Sequence, residues 1–588
     1  MILQALTSLY EALAPKGEVP KEGWSREKIS FALGIDENGD LLRITPLFKP
    51  GDMPKGKKKE EPQEMTVPAA VKRTSGAAAN FLWDNSSYIL GVSLKKGEDD
   101  AEREKQRNKD IKCFEACREL HHSMLDGMEY PAAKAVLNFL DKWEPQKAEE
   151  NNLVAQYAKE ILSGANMVFR FNGGYVHDDP QLASVWQKAN AKQKDNIGQC
   201  LVTGALDEIQ NTHPTIKGVQ GAQSSGAALV SFNASAFCSY NKEQNQNAPV
   251  GKYAAFAYTT ALKHLLKDRK NVHRIGDAAI VCWAENADKQ YEDFAAEVFF
   301  GDNVDKSDEQ RLSALRTSLK LLADGLPCEE MDLDPDRKFY ILGLSPNAAR
   351  LAVRFFYCDS FGKIAGNIYK HHERLEIVRP SYDKFPILPL WKLLSATVNP
   401  NAKDKTPNAA MAGAVARAVF SGGRYPASLL ECTFLRIKAE RNITRERAAI
   451  IKAYYLRNPN EKCPKEVLTV SLNENSKNIP YTLGRLFSVY EEIQQAANPG
   501  INTTIKDRYF GSAAAMPATV FPILSNLAQK HLRKLSDAQR VYLDKKVMTL
   551  KSVLGEQYPA HMSLPEQGSF DLGYYHQTQA RYTKKEDK

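Results

Sequence analysis

The spacing of apolar residues changes along the chain, and that change divides the sequence into two regions. In the first region short strand-like runs alternate with helical segments. A run at 29–35, the turn residues 36–40 and a second run at 41–44 predict a β-hairpin. Apolar runs at 278–283 and 339–344 predict buried strands. Residues 345–347 are expected to turn the chain into a helix that carries Arg350 and Arg354.

Beyond residue 408 the apolar residues recur at three- and four-residue spacing, which is typical of helices. This pattern predicts helices over 409–420, 426–440, 443–457, 481–497, 517–535 and 537–554. The last thirty or so residues are rich in Gly, Tyr and Gln and are expected to be irregular. The predicted fold class is therefore α+β, with a mixed N-terminal α/β region over 1–398, a polar linker at 399–408 and a C-terminal helical bundle over 409–588.

Composition narrows the functional classes. The chain has 588 residues, a formal net charge of +8 and nine scattered cysteines. The low, odd cysteine count is typical of reduced thiols, so a cytoplasmic location is expected. No apolar run is long enough to cross a membrane. The mild positive charge permits nucleic-acid binding without requiring it.

Common catalytic motifs are absent, including a phosphate-binding P-loop, a G-x-S-x-G elbow and an H-E-x-x-H helix. His177 and Asp178 are adjacent and leave open a metal-dependent nuclease. Cys113, Cys117 and His121 share a helix face and fit either three zinc ligands or a half-buried face. The glycines at 218, 221 and 226 indicate a loop whose backbone approaches another surface closely. We predict no catalytic residue, no metal and no cofactor.

Two N-terminal segments have side chains suited to DNA. Lys and Arg neutralise phosphates, and hydroxyl and amide groups bond to phosphates or base edges. The first candidate set is Lys72, Arg73, Thr74, Ser75 and Asn80, and the alternative is a surface loop that caps a helix. The second set, within the Asn/Gln-rich stretch that also contains Tyr240, is Gln223, Asn233, Lys242, Gln244, Asn245 and Asn247, and the alternative is an ordinary hydrophilic loop.

The C-terminal helices carry the strongest local charge. Between residues 506 and 551 there are nine cations and three acids. A basic helical surface suits sequence-independent contact with a phosphate backbone, and a solvated face is the alternative. The candidate residues are Lys530, Arg533, Lys534, Arg540, Lys545 and Lys546.

Several long strings resemble one family. They include KRTSGAAANFLWDNSSYILG (72–91), KGVQGAQSSGAALVSFNASAFCSYNKEQNQNAP (217–249), YILGLSPNAARLAVRFF (340–356), IPYTLGRLFSVYEEIQ (479–494) and LGYYHQTQ (572–579). They span nearly the whole chain in order. The sequence resembles the large subunit of the type I-C CRISPR interference complex (Cascade), the Cas-eight-c family.

The resemblance implies a non-catalytic role. Such a subunit recognises the protospacer-adjacent motif in duplex DNA, promotes strand opening and helps to hold the displaced strand, while crRNA pairing reads the sequence. Its implied partners are target DNA, a crRNA-bearing complex of backbone, handle-binding and small subunits, and a helicase–nuclease that cuts. The resemblance also implies that 470–588 are made separately as a small subunit, although no methionine stands at that point. A purely structural scaffold remains an alternative.

Overall fold

The computed structural model describes residues 1–50, 60–71, 73, 76–94, 100–191, 196–268, 272–301 and 309–582. The chain forms two compact units. The first consists of Leu3–Pro214 with Phe232–Ala261, and the second of Thr215–Ser231 with Leu262–Lys588. Across the described ranges, no helix combines the length and apolar character that crossing a bilayer requires.

The first unit combines small sheets with helices. Its strands are β1 (Trp24–Ile29), β2 (Phe31–Ile35), β3 (Leu41–Pro46), β4 (Phe48–Pro50), β5 (Glu60–Pro68), β6 (Trp83–Asn85), β7 (Asn166–Phe171), β8 (Gly174–Tyr175), β9 (Ile197–Gln199) and β10 (Leu206–Glu208). Its α-helices are α1 (Ile2–Leu13), α2 (Ser86–Ile89), α3 (Asp100–Leu125), α4 (Pro131–Lys142), α5 (Asn152–Ala155), α6 (Ala158–Leu162) and α7 (Pro180–Ala191), and α8 (Lys252–Lys267) begins in it. Short 3₁₀ helices lie at Pro145–Glu150 and Val176–Asp178.

Among the residues of this unit that the structure describes, strand order defines three sheets. β1, β5 and β4 form one antiparallel sheet, and β9 pairs with β10 in a two-stranded ribbon. The largest sheet has the order β3-β2-β7-β6, with β8 beside β7. β2 runs parallel to β7, and the other pairs in that sheet are antiparallel.

The predicted hairpin is confirmed as β2 and β3. Its turn is closed because the Asp40 N–H donates to the Asp36 carboxylate at 2.8 Å and the Gly39 N–H donates to the Asp36 carbonyl at 3.1 Å. Gly39 has a φ of +82°, and a Cβ there would collide with the Phe139 nitrogen of α4. The turn therefore needs glycine both for its backbone angle and for the helix packed beside it.

The core of the first unit lies between its largest sheet and the helices. Phe31 and Leu33 of β2, Phe169 of β7 and Phe139 of α4 are fully or almost fully buried in one cluster. Each such side chain contributes on the order of 1.5–3 kcal/mol by leaving water. Because this core is rigid, loops attached to the unit have a fixed base.

The described part of the second unit contains one sheet and most of the helices. Its strands are β11 (His273–Ile275), β12 (Ala278–Ala284), β13 (Lys338–Asn347) and β14 (Arg350–Ser360), all antiparallel neighbours in that order. Its α-helices are α9 (Lys289–Val298), α10 (Glu309–Ala323), α11 (Phe361–Leu375), α12 (Leu390–Ser395), α13 (Ala409–Ser421), α14 (Ala427–Glu440), α15 (Arg445–Arg457), α16 (Ile479–Ala497), α17 (Ile505–Ala515), α18 (Pro517–Leu532), α19 (Asp537–Lys551) and α20 (Leu564–Ala580). Short 3₁₀ helices lie at Glu329–Met331 and Lys465–Val467.

These elements confirm the α+β class, the two buried strands and the six predicted C-terminal helices. The helix expected to carry Arg350 and Arg354 was wrong, because both residues lie in β14. The prediction rested on a turn at residues 345–347, but these residues continue strand β13. The run from Val353 to Tyr357 favours a strand instead, and pairing with β13 fixes it after a turn in which Ala348 has a φ of +51°.

The C-terminal tail was also predicted wrongly, since α20 is a 17-residue helix. Its residues from Gln567 to Gln577 are all buried, so the helix lacks the amphipathic pattern that marks a surface helix. It packs backbone to backbone against α16. A Cβ on Gly573 would collide with the Tyr481 carbonyl, and a Cβ on Gly484 would collide with the Phe570 carbonyl. The glycines that suggested irregularity are what permits this contact.

One apolar cluster runs through the second unit. It includes Ile280 and Phe355 of the sheet as well as Leu486 and Phe570 of the C-terminal helices. Residues 399–408, predicted as a linker between domains, lie inside this unit. The sheet and the C-terminal helices therefore share a core across that segment.

Candidate nucleic-acid interface

The Asn/Gln-rich stretch forms a loop over residues 232–250, here called the braced loop, in the first unit. It contains two short 3₁₀ helices, Ser235–Phe237 and Gln244–Asn247. Asn247 binds it internally: its Oδ1 accepts from the Ser239 N–H at 2.9 Å, and its Nδ2 donates to the carbonyls of Lys242 at 3.0 Å and Gln244 at 2.9 Å. These three bonds close the tip of the loop.

Asn245 fixes the same loop to the unit beneath it. Its side chain is 2% exposed, and its Nδ2 donates to the carbonyls of Gln210 at 2.7 Å and Val250 at 3.3 Å. His213 lies close by, with its Nδ1 2.6 Å from the Tyr258 hydroxyl. Burial lowers the pKa of His213, and a hydrogen bond with Asn245 opposes that shift. Asn245, predicted from the sequence as a DNA contact, is therefore placed in the interior as an anchor.

Other predicted residues of this stretch lie at the surface. Lys242 and Gln244 are exposed on the braced loop. Asn233 is exposed as well and has an interaction within the chain. Gln223 is exposed and belongs to the second unit. Lys242 and Gln244 therefore combine exposure with a fixed loop.

Tyr240 was not among the predicted contacts, yet it is the most exposed aromatic side chain of the loop. It is 94% exposed, whereas Phe237 is 44% exposed. Tyr240, Asn241 and Gln244 all have left-handed backbone angles, with φ values of +53°, +58° and +43°. Composition gave no signal for this geometry. The sequence shows only that Tyr240 is followed directly by a run of amide and charged residues at 241–247.

In the KRTSG segment, Arg73 is exposed and contacts three other residues of the first unit. The Arg73 guanidinium forms an ion pair with Asp84, its Nε donates to the Ala78 carbonyl at 2.7 Å, and it lies 3.9 Å from the centroid of the Tyr88 ring. Asp84 is 1% exposed, and burial raises its pKa while the charge of Arg73 opposes the rise. Arg73 thus neutralises a buried carboxylate.

Asn80 is buried, at 3% exposed, whereas Arg73 is exposed. Its Oδ1 accepts from the Val71 N–H at 2.9 Å, and its own N–H donates to the Asp84 carboxylate at 2.8 Å. Asn80 therefore holds the start and the end of the segment together. The predicted contacts Lys72, Thr74 and Ser75 lie outside the described residues.

Lys530 lies in α18, Arg533 and Lys534 follow its end, and Arg540, Lys545 and Lys546 lie in α19. These predicted cations differ in how many contacts they make within the chain. Lys530, Arg533 and Lys545 are exposed. The other three contact neighbouring side chains: Lys534 Nζ lies 3.4 Å from Asn498 Oδ1, Arg540 pairs with Asp537 at 2.8 Å, and Lys546 lies 3.5 Å from Glu492 Oε2. The surface is basic, but its cations are not equivalent.

Apolar side chains interrupt this basic surface, which the charge count did not reveal. On α19 Val541 is 64% exposed, Tyr542 59% and Met548 64%, and Ile523 of α18 is 44% exposed. Lys546 Nζ lies 4.4 Å from the centroid of the Tyr542 ring. Val541 and Met548 are seven residues apart, so their exposed apolar groups lie on the same side of α19.

The pair His177 and Asp178 and the residues around His121 were the alternative catalytic and metal-binding candidates, and their surroundings in the structure differ. His177 is 1% exposed and burial lowers its pKa, whereas the Asp178 side chain is 63% exposed, with 3.6 Å between Nε2 and Oδ1. His121 uses Nε2 to accept from the Leu82 N–H at 2.9 Å and Nδ1 to contact the Cys117 carbonyl at 2.7 Å. Within the described ranges, no group of three metal-binding side chains occurs.

Comparison with known proteins assigns the family. No curated protein matches the sequence. A family model described as CRISPR-associated protein (Cas_Csd1) matches the chain from residue 6 to residue 582. Because this match covers nearly the whole chain, the chain belongs to the Cas_Csd1 family and is a large subunit of the type I-C CRISPR interference complex.

Proposed function

We propose that this subunit recognises the protospacer-adjacent motif in duplex DNA, promotes strand opening and catalyses no reaction itself. The observation that carries the proposal is the braced loop, which keeps Lys242 and Gln244 exposed on a base fixed by Asn245 and Asn247. Amide groups donate and accept hydrogen bonds, so they suit the acceptors and the guanine amino group of the minor groove. A lysine beside them suits a phosphate.

The basic helices α18 and α19 carry the second part of the proposal, contact with the displaced strand or with filament subunits. The exposed Lys530, Arg533 and Lys545 suit phosphates. Exposed Val541 and Met548 favour a protein subunit as the neighbour of the apolar part of α19, because a phosphate backbone offers little apolar surface. The two contacts are compatible if DNA and protein cover different parts of the surface.

Substitution of the loop side chains within the assembled complex tests motif recognition. The variant Lys242→Ala with Gln244→Ala should weaken binding to a target with the correct motif and leave crRNA loading unchanged. Gln181→Ala, an exposed amide of the same unit, is the matched control. If the double variant binds all flanking sequences as the unsubstituted complex does, the loop does not recognise the motif.

The non-catalytic role has its own test. The purified complex with Mg²⁺ and target DNA should leave both strands intact until a helicase–nuclease is added. Asp178→Asn is the informative variant because the Asp178 side chain is 63% exposed and the change preserves its size. Cleavage by the complex alone that this variant abolishes would overturn the proposal.

A further inference from the structure

Tyr240 lies at the tip of the braced loop in a conformation that presents its ring to solvent. Its side chain is 94% exposed. Tyr240 and the following Asn241 both have φ values in the left-handed region, at +53° and +58°, which L-residues with a Cβ seldom adopt. Such a conformation persists where the surrounding structure enforces it, and it is frequent at sites of function.

The surrounding structure does enforce it. The Asn247 side chain bonds to the backbone of Ser239 on one side of Tyr240 and to the carbonyls of Lys242 and Gln244 on the other. Asn245, buried at 2% exposure, bonds the loop to Gln210 outside it and to Val250 at its own end. The backbone that carries the ring is therefore held in place, so little backbone freedom is lost when the ring meets a partner.

The chemistry around the ring favours a nucleobase. Exposed neighbours include the amides of Asn241 and Gln244 and the ammonium of Lys242, with Glu243 as the one acid between residues 218 and 249. Aromatic rings beside cations and amides are the usual platform for bases in single-stranded nucleic acids. An apolar protein partner would instead favour a broader apolar patch, which the tip lacks, since residues 239 and 241–244 are polar or charged.

We infer that Tyr240 stacks on a nucleobase of the target DNA where the two strands separate. This inference rests on the proposed function, because it assumes that the braced loop meets the duplex beside the motif. Every base has a π face, so the stack is indifferent to which base it meets. Tyr240 would then stabilise the opened strand end, whereas the exposed amides contact the motif.

The experiment uses the assembled complex with full-length subunit, and duplex targets labelled with 2-aminopurine in the pairs next to the motif. Tyr240→Ala should reduce affinity for a fully paired target by about 5- to 150-fold, the loss expected for one base stack. It should also reduce the fluorescence rise that reports unstacking of the labelled base. Tyr240→Phe keeps the ring and should behave as the unsubstituted complex does. Tyr382→Ala, an exposed tyrosine of the second unit at 83%, is the control.

The possible results of this experiment separate the stacking inference from its alternatives. A target that is already unpaired beside the motif should bind the Tyr240→Ala complex more tightly than the paired target does, because opening no longer costs free energy. If Tyr240→Ala opens and binds the paired target normally, the stacking inference is overturned. If less of the variant subunit enters the complex, Tyr240 contacts protein and the inference is also overturned. If the unsubstituted complex ignores the motif, the proposed function fails, whatever Tyr240 does.

Discussion

The braced loop and the basic helices expose polar side chains in different ways. In the loop, the most buried amide, Asn245, and the most bonded one, Asn247, are used to fix the backbone, and this leaves Lys242 and Gln244 exposed. On α18 and α19, rigid helices already fix the backbone, so cations project without such braces. A loop needs hydrogen bonds from some of its polar side chains to hold its backbone, whereas the backbone of a helix is held by its own hydrogen bonds.

This difference between helix and loop explains why the exposure of side chains could be predicted from the sequence for the helices and not for the loops. Helix spacing predicted α18 and α19 and with them an exposed Lys530; Arg533, directly after α18, is also exposed. In loops, composition identified polar residues and could not separate those that face solvent from those that bond inward. Asn80 and Asn245, both predicted as contacts, are buried, whereas Arg73 is exposed and also pairs with Asp84.

The largest effect is expected at Asn245. In Asn245→Ala the carbonyls of Gln210 and Val250 lose a buried donor, which should cost about 1–3 kcal/mol of loop stability. Motif-dependent binding should then fall by roughly the same free energy, on the order of 5- to 150-fold. Limited proteolysis within 232–250 measures the loop, and filter binding of the assembled complex measures the affinity. Equal protease resistance in both proteins would show that Asn245 is no anchor.

The cations of the helices should show a salt-dependent effect. Replacing Lys530, Arg533 and Lys545 together by Ala should lower the slope of log affinity against log salt by up to about 2–3, because each phosphate contact contributes roughly 0.7–0.9. The matched variant replaces Lys534, Arg540 and Lys546, which already contact Asn498, Asp537 and Glu492. Its slope should change less. Identical slopes for the two variants would mean that exposure does not distinguish these cations.

Both units should lose stability in mild acid through buried histidines. Burial lowers the pKa of His121 in the first unit to about 4 and that of His576 in the second to about 3. Since the unfolded pKa is about 6.5, the unfolded chain binds protons first as pH falls, so stability is full above 6.5 and is lost below it. The loss approaches about 1.4 kcal/mol per pH unit for each histidine. Thermal unfolding at pH 7 and pH 5 measures it; a melting temperature that does not fall at pH 5 would contradict it.

Lys242→Ala should have the smallest effect. Its ammonium is exposed, so removal should change unfolding by less than about 0.5 kcal/mol. Loss of one phosphate contact should lower the salt slope by about 0.9. The contrast with Asn245→Ala is the useful result, since one variant alters the surface and the other its support. A large loss of protease resistance in Lys242→Ala would remove that contrast.

How far the sequence predicts this molecule depends on the element. The hairpin of β2 and β3 and the six C-terminal helices follow from apolar spacing and turn residues. α20 does not, because Gly573 and its buried neighbours have no amphipathic pattern and acquire their role from contact with α16. The exposure of Tyr240 also depends on distant bonds, namely those of Asn245 to Gln210 and Val250.

The central claim is that this subunit recognises the bases that flank the paired target. It does so through a loop of fixed conformation and without cleaving the DNA. The most direct measurement is the affinity of the assembled complex for duplexes that share one protospacer and differ in the flanking bases. The account predicts that changing the motif weakens binding by at least tenfold at one fixed salt concentration, with both strands intact. Equal affinity for every flank would contradict it.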